Sequence, residues 1–148
     1  MRASEVDFHI PALIPEQYIP DIHRRLIEYK RIASVREPAA LREIEIELVD
    51  RFGPLPDALK HLFRITRIKI QTLRLGVEKI DIGEQQGKIV FSARPNIDTA
   101  RLIELIRQQP REYRFDGKQT LRIACQNDEL EPRFRQVENL LAQLSTDK

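Results

Sequence analysis

The hydrophobic pattern changes its period near Gly76, and this change constrains the fold more than any other feature of the sequence. Before that point, apolar residues recur at the three- and four-residue spacing of amphipathic helices. After it, short runs in which apolar and polar residues alternate are followed by helical segments. The pattern predicts a three-helix segment and then two strand–strand–helix units. This is an α+β fold, with a mainly antiparallel sheet packed by helices.

Prolines and a glycine define the first two predicted helices. Pro20 and Pro38 stand where a first helical turn accepts proline, so the first helix is predicted over about 20–35 and the second from Pro38. Gly53 and Pro54 predict the end of the second helix, because glycine adopts the left-handed cap conformation and proline cannot continue a helix. The residues at helical spacing are Ile22, Leu26, Tyr29 and Ala33 in the first helix, with Ile32 beside them, and Leu41, Ile44, Leu48 and Phe52 in the second.

A third helix is predicted from Pro56 to Gly76, and two hairpins follow it. Their turns are GEQQG and DGK, each flanked by alternating apolar residues. A helix at about 97–109 ends at Pro110 and separates the hairpins, and a last apolar helix follows the second one. The alternating strand residues are Ile80 and Ile82, Ile89 and Phe91, Tyr113 and Phe115, and Leu121, Ile123 and Cys125.

The N-terminal segment is strand-like and is then interrupted by three prolines. Val6, Phe8 and Ile10 alternate with polar residues, and the prolines that follow forbid regular structure. We therefore expect residues 1–19 to be an arm or linker and residues 20–148 to be a single domain. The arm either continues from a longer polypeptide or packs on its own domain, and the sequence leaves both readings open.

Composition excludes several classes of protein. The net charge is +2, from 25 basic and 23 acidic residues, which lacks the clear basic excess of most nucleic-acid-binding domains. No run approaches the ~18 apolar residues of a membrane span, and the first residues lack the layout of a signal peptide. Cys125 is the single cysteine, which fits a reducing compartment. A cytoplasmic protein that binds no membrane is expected.

The sequence predicts no catalytic, cofactor-binding or metal-binding residue. It contains five glycines, and none belongs to a phosphate-binding loop. His9, His23 and His61 are far from one another and from Cys125, so no metal-ligand spacing exists. Cys125 is in phase with apolar strand residues, which favours a core thiol over a nucleophile. A non-catalytic interaction domain is the expected class.

Three carboxylates and an isoleucine on the second helix form the candidate docking surface. Glu43, Glu47 and Asp50 fall within about 60° of arc, opposite the apolar face, and Ile46 borders them. Carboxylates accept paired hydrogen bonds from guanidinium groups, so such a surface favours an arginine-rich partner. The alternative is an ordinary solvated helix face.

Four basic residues along the third helix support a second hypothesis, an accessory nucleic-acid-binding domain. Lys60, Arg64, Arg67 and Arg74 lie on one side of that helix, and such a stripe could contact phosphates. The stripe lacks the interleaved aromatic residues of single-strand binders. Since only GPLP joins the second and third helices, part of the stripe could instead face the acids of the second helix. Nucleic acid is therefore not the expected partner of this domain alone.

Several motifs resemble the C-terminal domain of bacterial transcription-repair coupling factors. They are EVDFHIPALIPEQYIP, IPDIHRRLIEYKRIAS and IELVDRFGPLP in the first half, and GVEKIDI, GKIVFSA, RQQP and YRFDG in the second. The resemblance extends from about Glu5 to Ser145. YKRIAS and VDRFG are its most specific parts, and the last helix is its weakest.

The resemblance implies a regulatory role. Full-length members of this family are multidomain, ATP-dependent DNA translocases that remove stalled RNA polymerase and recruit excision-repair proteins, and their motor would lie outside this chain. Their C-terminal domain packs on an N-terminal UvrB-like module, covers the surface that recruits UvrA, and restrains the motor. The contact uses acidic residues on the helix that ends in DRFG, which correspond to Glu47 and Asp50. Glu43 and Ile46 are added from helix geometry.

Overall fold

The helices and strands occur in the order predicted from the hydrophobic period. The computed structural model describes residues 4–125 and 128–146. Its helices are α1 (Ile22–Ser34), α2 (Pro38–Phe52), α3 (Asp57–Leu75), α4 (Thr99–Gln108) and α5 (Leu130–Leu144). Its strands are β1 (Glu5–Asp7), β2 (Val77–Ile82), β3 (Gln86–Phe91), β4 (Tyr113–Asp116) and β5 (Thr120–Ala124). Three helices followed by two strand–strand–helix units confirm the predicted α+β class.

The chain divides into two units. The helical unit is Ile10–Ile70, and the sheet unit comprises the described residues of Met1–His9 and Gln71–Lys148. The expected division into an arm, 1–19, and a domain, 20–148, stays a prediction.

The helical unit has its own hydrophobic core. Tyr18 packs against this core. Its hydroxyl lies 3.0 Å from the carbonyl oxygen of Leu48 and 2.7 Å from that of Gly53. Gly53 has a φ of 93°, and its N–H donates to the carbonyl of Val49, so the predicted stop of α2 is confirmed. The buried core residues are Ile14, Ile19, Ile32, Leu41, Ile44, Leu48, Leu59 and Phe63.

Helix α1 buries a different face from the one its apolar spacing indicates. Ile22 and Leu26 are 57% and 51% exposed, whereas Glu28 and Ile32 are buried. The spacing therefore predicts the helix correctly, but of its four residues only Tyr29 packs against the core. A buried glutamate gives no apolar signal, so a hydrophobic pattern cannot find its part of this face.

The sheet unit contains a five-stranded sheet in the order β1-β2-β3-β5-β4. β1 pairs in parallel with β2, and the other pairs are antiparallel. The two predicted hairpins account for four strands, and β1 adds a fifth at the edge of β2. Its neighbour Phe8 is buried, and its ring lies 4.5 Å from that of Phe134 in α5.

Helices α4 and α5 are joined by polar contacts at their ends. The N–H of Asp98 donates to the carbonyl of Leu144, and Arg101 donates to the side chain of Gln143. The carboxylate of Asp98 caps α4 by accepting the N–H of Arg101. Cys125 follows β5 and is buried, and burial raises the pKa of its thiol, so the expected core thiol is confirmed.

His9 ties the end of β1 to β2. It has a φ of 57°, and its N–H donates to Asp7. Its ring Nε2 lies 2.7 Å from Oδ1 of Asp81. The hydrogen bond to Asp81 and the charges of Asp7 and Asp81 raise the pKa of His9 above 6.5, while desolvation and Arg133 oppose them. A protonated His9 is thus favoured between two carboxylates.

Candidate docking surface on helix α2

Packing of α2 in the helical unit determines which of its residues face solvent. Leu41, Ile44 and Leu48 are its buried residues, so the opposite side of the helix is exposed. The four predicted docking residues all lie on that exposed side: Glu43, Ile46, Glu47 and Asp50. We call this set the α2 acidic surface. The structure brings them together on one rigid element.

The α2 acidic surface includes a second exposed apolar residue that the helical pattern did not predict. Ile46 is 54% exposed and Val49, one turn further along, is 40% exposed. Val49 was not among the predicted residues. Its signal is the three-residue spacing from Ile46, which places both side chains on neighbouring positions of the helix surface.

A charge cluster from α1 reaches the α2 acidic surface. The Glu28 carboxylate is fully buried and lies 2.8 Å from Nη1 of Arg31 and 3.1 Å from Nη2 of Arg24. Arg31 also places Nη2 at 2.6 Å from Oε2 of Glu47. The hydrogen bonds that Arg31 donates to Glu47 and Glu28 raise the pKa of its guanidinium, against the desolvation that lowers it. Arg31 therefore joins a buried carboxylate to an exposed one.

This cluster distinguishes Glu47 from the other acids of the surface. Glu47 already accepts a guanidinium from within the chain, although 59% of its side chain is exposed. Within the described part of the chain, Glu43 and Asp50 have no ion pair within 4.0 Å. Chemically, the surface offers two unpaired carboxylates, one carboxylate held by an arginine, and an apolar border of Ile46 and Val49.

The basic stripe of α3 is partly compensated inside the chain. Nη1 of Arg67 lies 3.5 Å from Oε2 of Glu45 on α2, as expected if part of the stripe faces the acids of that helix. Arg64 and Arg74 also have partners in the chain. Lys60 is exposed. Arg74 belongs to the sheet unit and the other three residues to the helical unit.

The described residues offer neither a metal-ligand cluster nor a membrane span. No group of three or more histidine, cysteine, aspartate or glutamate residues within 4–125 and 128–146 could hold a metal ion. Over the same ranges, every helix is too short or too polar to cross a bilayer.

The family model of the TRCF domain matches residues 8–102, which is more than half of the chain. The chain belongs to the TRCF domain family. The match includes the whole of α2 and therefore the α2 acidic surface. The resemblance indicated by the YKRIAS and VDRFG motifs is thereby confirmed.

Individual members of the TRCF family agree with this assignment. The chain is 43% identical over 116 residues to the transcription-repair-coupling factor of Haemophilus influenzae, covering 78% of this chain and 10% of that protein. It is 38% identical over 143 residues to the Escherichia coli protein of the same name, covering 97% of this chain and 12% of that protein. The chain thus spans about a tenth of the length of these relatives.

A solved structure confirms the fold. It is the crystal structure of a C-terminal domain of transcription-repair coupling factor, and it superposes with a TM-score of 0.80. The match covers 99% of this chain and 97% of that one at 21% sequence identity. This chain therefore has the fold of that C-terminal domain over nearly its whole length.

Proposed function

We propose that this chain is an autoinhibitory docking domain within a transcription-repair coupling factor, and that it docks through the α2 acidic surface. Its partner is the N-terminal UvrB-like module of the same polypeptide. The observation that carries the proposal is the presence of three exposed carboxylates beside an exposed isoleucine on one helix face. A basic surface with an apolar depression is the complementary shape and charge.

The pairing of Glu47 with Arg31 supports an arginine-bearing partner. Oε2 of Glu47 accepts a guanidinium hydrogen bond at 2.6 Å, so its side chain is already oriented as guanidinium recognition requires. An arginine of the partner could replace Arg31 there, because Arg31 would keep its bond to the buried Glu28. If an arginine of the partner replaces Arg31 at Glu47, neither Glu47 nor Glu28 is left unpaired. This exchange suits a contact that forms and breaks.

The expected strength of the contact fits a reversible latch. Exposed ion pairs contribute only ~0–1 kcal/mol each, so a few of them with one apolar contact give a few kcal/mol. A preference of that size keeps the open form at a few per cent or less. Docking would cover the surface that recruits UvrA and restrain the DNA translocase until RNA polymerase is engaged. The ATP-hydrolysing motor and the polymerase contacts would lie elsewhere in the parent protein, and this domain itself would be no enzyme.

The test uses the full-length protein with Glu47→Ala and Asp50→Ala combined. Loss of both carboxylates should increase UvrA binding and basal ATP turnover, since the latch opens. Arg42→Ala is the matched control: it lies on the same helix, is exposed, and should leave both activities unchanged. Wild-type levels of UvrA binding and ATP turnover in the double variant would show that α2 is not the latch.

A binding experiment with separate domains tests the partner directly. This chain and the N-terminal module of the same protein are mixed and their association is measured by titration at two salt concentrations. Association that weakens with salt, and weakens further with the double variant, supports docking through α2. Association that is indifferent to both changes assigns the contact to another surface.

A further inference from the structure

Strand register in the sheet unit aligns five charged residues in one row. Asp7 pairs with Asp81 and Asp81 with Lys88. Lys88 pairs with Arg122 and Arg122 with Arg114. Residues directly opposite each other on paired strands share a face of the sheet. The row therefore crosses all five strands on one face, with two acids at one end and three bases at the other.

This face of the sheet is open to solvent. Neighbouring positions in the strands alternate between faces, and Ile80, Ile89 and Leu121 form the adjacent, fully buried row on the opposite face. In the charged row, 42% of the Arg122 side chain and 32% of the Asp81 side chain are exposed. The charged row therefore lies outside the hydrophobic core, on the exposed face of the sheet.

The two ends of the row are compensated differently. Like charges on directly opposite residues are destabilising, so each end is unfavourable by itself. At the acidic end, His9 contacts both Asp7 and Asp81. At the basic end, Arg122 alone has an ion-pair partner among the residues that the structure describes.

The Arg122 pair leaves the basic end with excess charge. Its Nη2 lies 2.9 Å from Oδ2 of Asp116. Over the described residues, Lys88 and Arg114 have no ion pair within 4.0 Å. Lys88 and Arg114 thus flank Arg122 in the row as two unneutralised cations, and such a cluster attracts an anion from outside the chain.

We propose that Lys88, Arg122 and Arg114 bind the phosphate backbone of a nucleic acid. Strands are about 5 Å apart, so Lys88 and Arg114 lie about 10 Å from each other across β5. Successive phosphates of one DNA strand are about 3.4 Å apart along the helix axis, so the three cations span about three phosphates.

The surroundings of the three cations favour a phosphate backbone over an acidic protein. Protein interfaces have an apolar centre, whereas nucleic-acid interfaces are polar and basic. The large apolar side chains of these strands lie on the opposite face, and Val90, which is two residues from Lys88 on the charged face, is partly buried. No aromatic residue of β2–β5 shares the face of the row, so bases would find no stacking surface. Contact would therefore be with the backbone of a duplex and independent of sequence.

This site shares no residue with the proposed latch. It belongs to the sheet unit, whereas the α2 acidic surface belongs to the helical unit. It also shares no residue with the basic stripe of α3. Failure of either proposal therefore leaves the other in place.

The experiment measures fluorescence anisotropy of a labelled DNA duplex titrated with this chain. Lys88→Gln combined with Arg114→Gln should weaken binding roughly tenfold or more at about 50 mM salt, and should reduce the slope of log K against log salt by about two. The control, Lys30→Gln with Arg42→Gln, removes the same charge from exposed residues of the helical unit and should bind like wild type. Lys88→Arg with Arg114→Lys keeps the charge and should retain binding.

Thermal unfolding accompanies these titrations. The Gln variant should unfold at the wild-type temperature or slightly above it, because substitution removes repulsion between like charges. The proposal is overturned if the wild-type chain does not bind the duplex at low salt, or if the control loses as much affinity as the Gln variant. Tighter binding of poly-glutamate than of the duplex would also overturn it, by identifying an acidic protein as the ligand.

Discussion

Glu28→Gln should destabilise the helical unit far more than Glu47→Gln, although both carboxylates contact the same arginine. Glu28 is fully buried between Arg24 and Arg31, whereas 59% of the Glu47 side chain is exposed. Removing one partner of a buried ion pair typically costs ~3–5 kcal/mol. Arg24 and Arg31 are 31% and 36% exposed, so water can hydrate them after the change, and we expect a smaller cost of about 2 kcal/mol.

The corresponding cost for Glu47→Gln is that of a surface pair, ~0–1 kcal/mol. Urea unfolding followed by circular dichroism measures both. With a slope of about 2 kcal/mol per molar urea, the midpoint should fall by about 1 M for Glu28→Gln and by less than about 0.5 M for Glu47→Gln. Added salt should abolish the smaller effect and leave the larger one, because buried charges are weakly screened.

Glu43→Gln is the control for both changes, since Glu43 has no ion pair within the described residues and its loss should leave the midpoint unchanged. Equal shifts for Glu28→Gln and Glu47→Gln would refute the reasoning. They would mean that burial of the carboxylate, which is the difference between Glu28 and Glu47, does not determine how much each substitution lowers the free energy of unfolding.

Two further predictions concern the sheet unit. The raised pKa of His9 means that its contact with Asp81 stabilises the fold fully below about pH 6.5 and is lost as pH rises through the folded-state pKa, so the urea midpoint should fall as pH rises above about 6.5. His9→Asn, which tolerates the φ of 57°, should flatten that fall, and an unchanged pH dependence would contradict the assignment. Gly87→Ala should cost about 2 kcal/mol or more in the same assay, because its Cβ would lie 2.6 Å from Cδ1 of Ile82 and 2.9 Å from the carbonyl oxygen of Asp81. Gly117→Ala meets no atom within 4 Å and should cost only the strain of its φ of 81°, so equal losses at the two glycines would argue against steric crowding at Gly87.

Local signals in the sequence were sufficient for most element boundaries. Helix α2 begins at Pro38 and ends before Gly53 because both residues act through their own backbone conformations. The two hairpin turns were identifiable for the same reason. The exposed side of α2 followed from the helical period once its apolar stripe was known, so the four residues of the candidate surface could be grouped without a structure.

The buried side of α1 and its contact with α2 could not be predicted in this way. Glu28 lies on the buried side of α1 because arginines on its own helix neutralise it, while Ile22 and Leu26 are exposed. A periodicity argument counts apolar residues and cannot count neutralised charges. The ion pair between Arg31 and Glu47 depends on how α1 packs against α2. The spacing of residues within one helix does not determine that packing.

The change of hydrophobic period, with its prolines and glycines, determined by itself that the chain is three helices followed by two strand–strand–helix units. Those signals are local, since they depend on backbone preferences and on the spacing of neighbouring side chains. Only the tertiary structure decided that β1 joins the sheet and that β5 lies between β3 and β4. Strand order and register depend on contacts between distant segments, and it is register that places Lys88, Arg122 and Arg114 in one row although the total charge of the chain is nearly balanced.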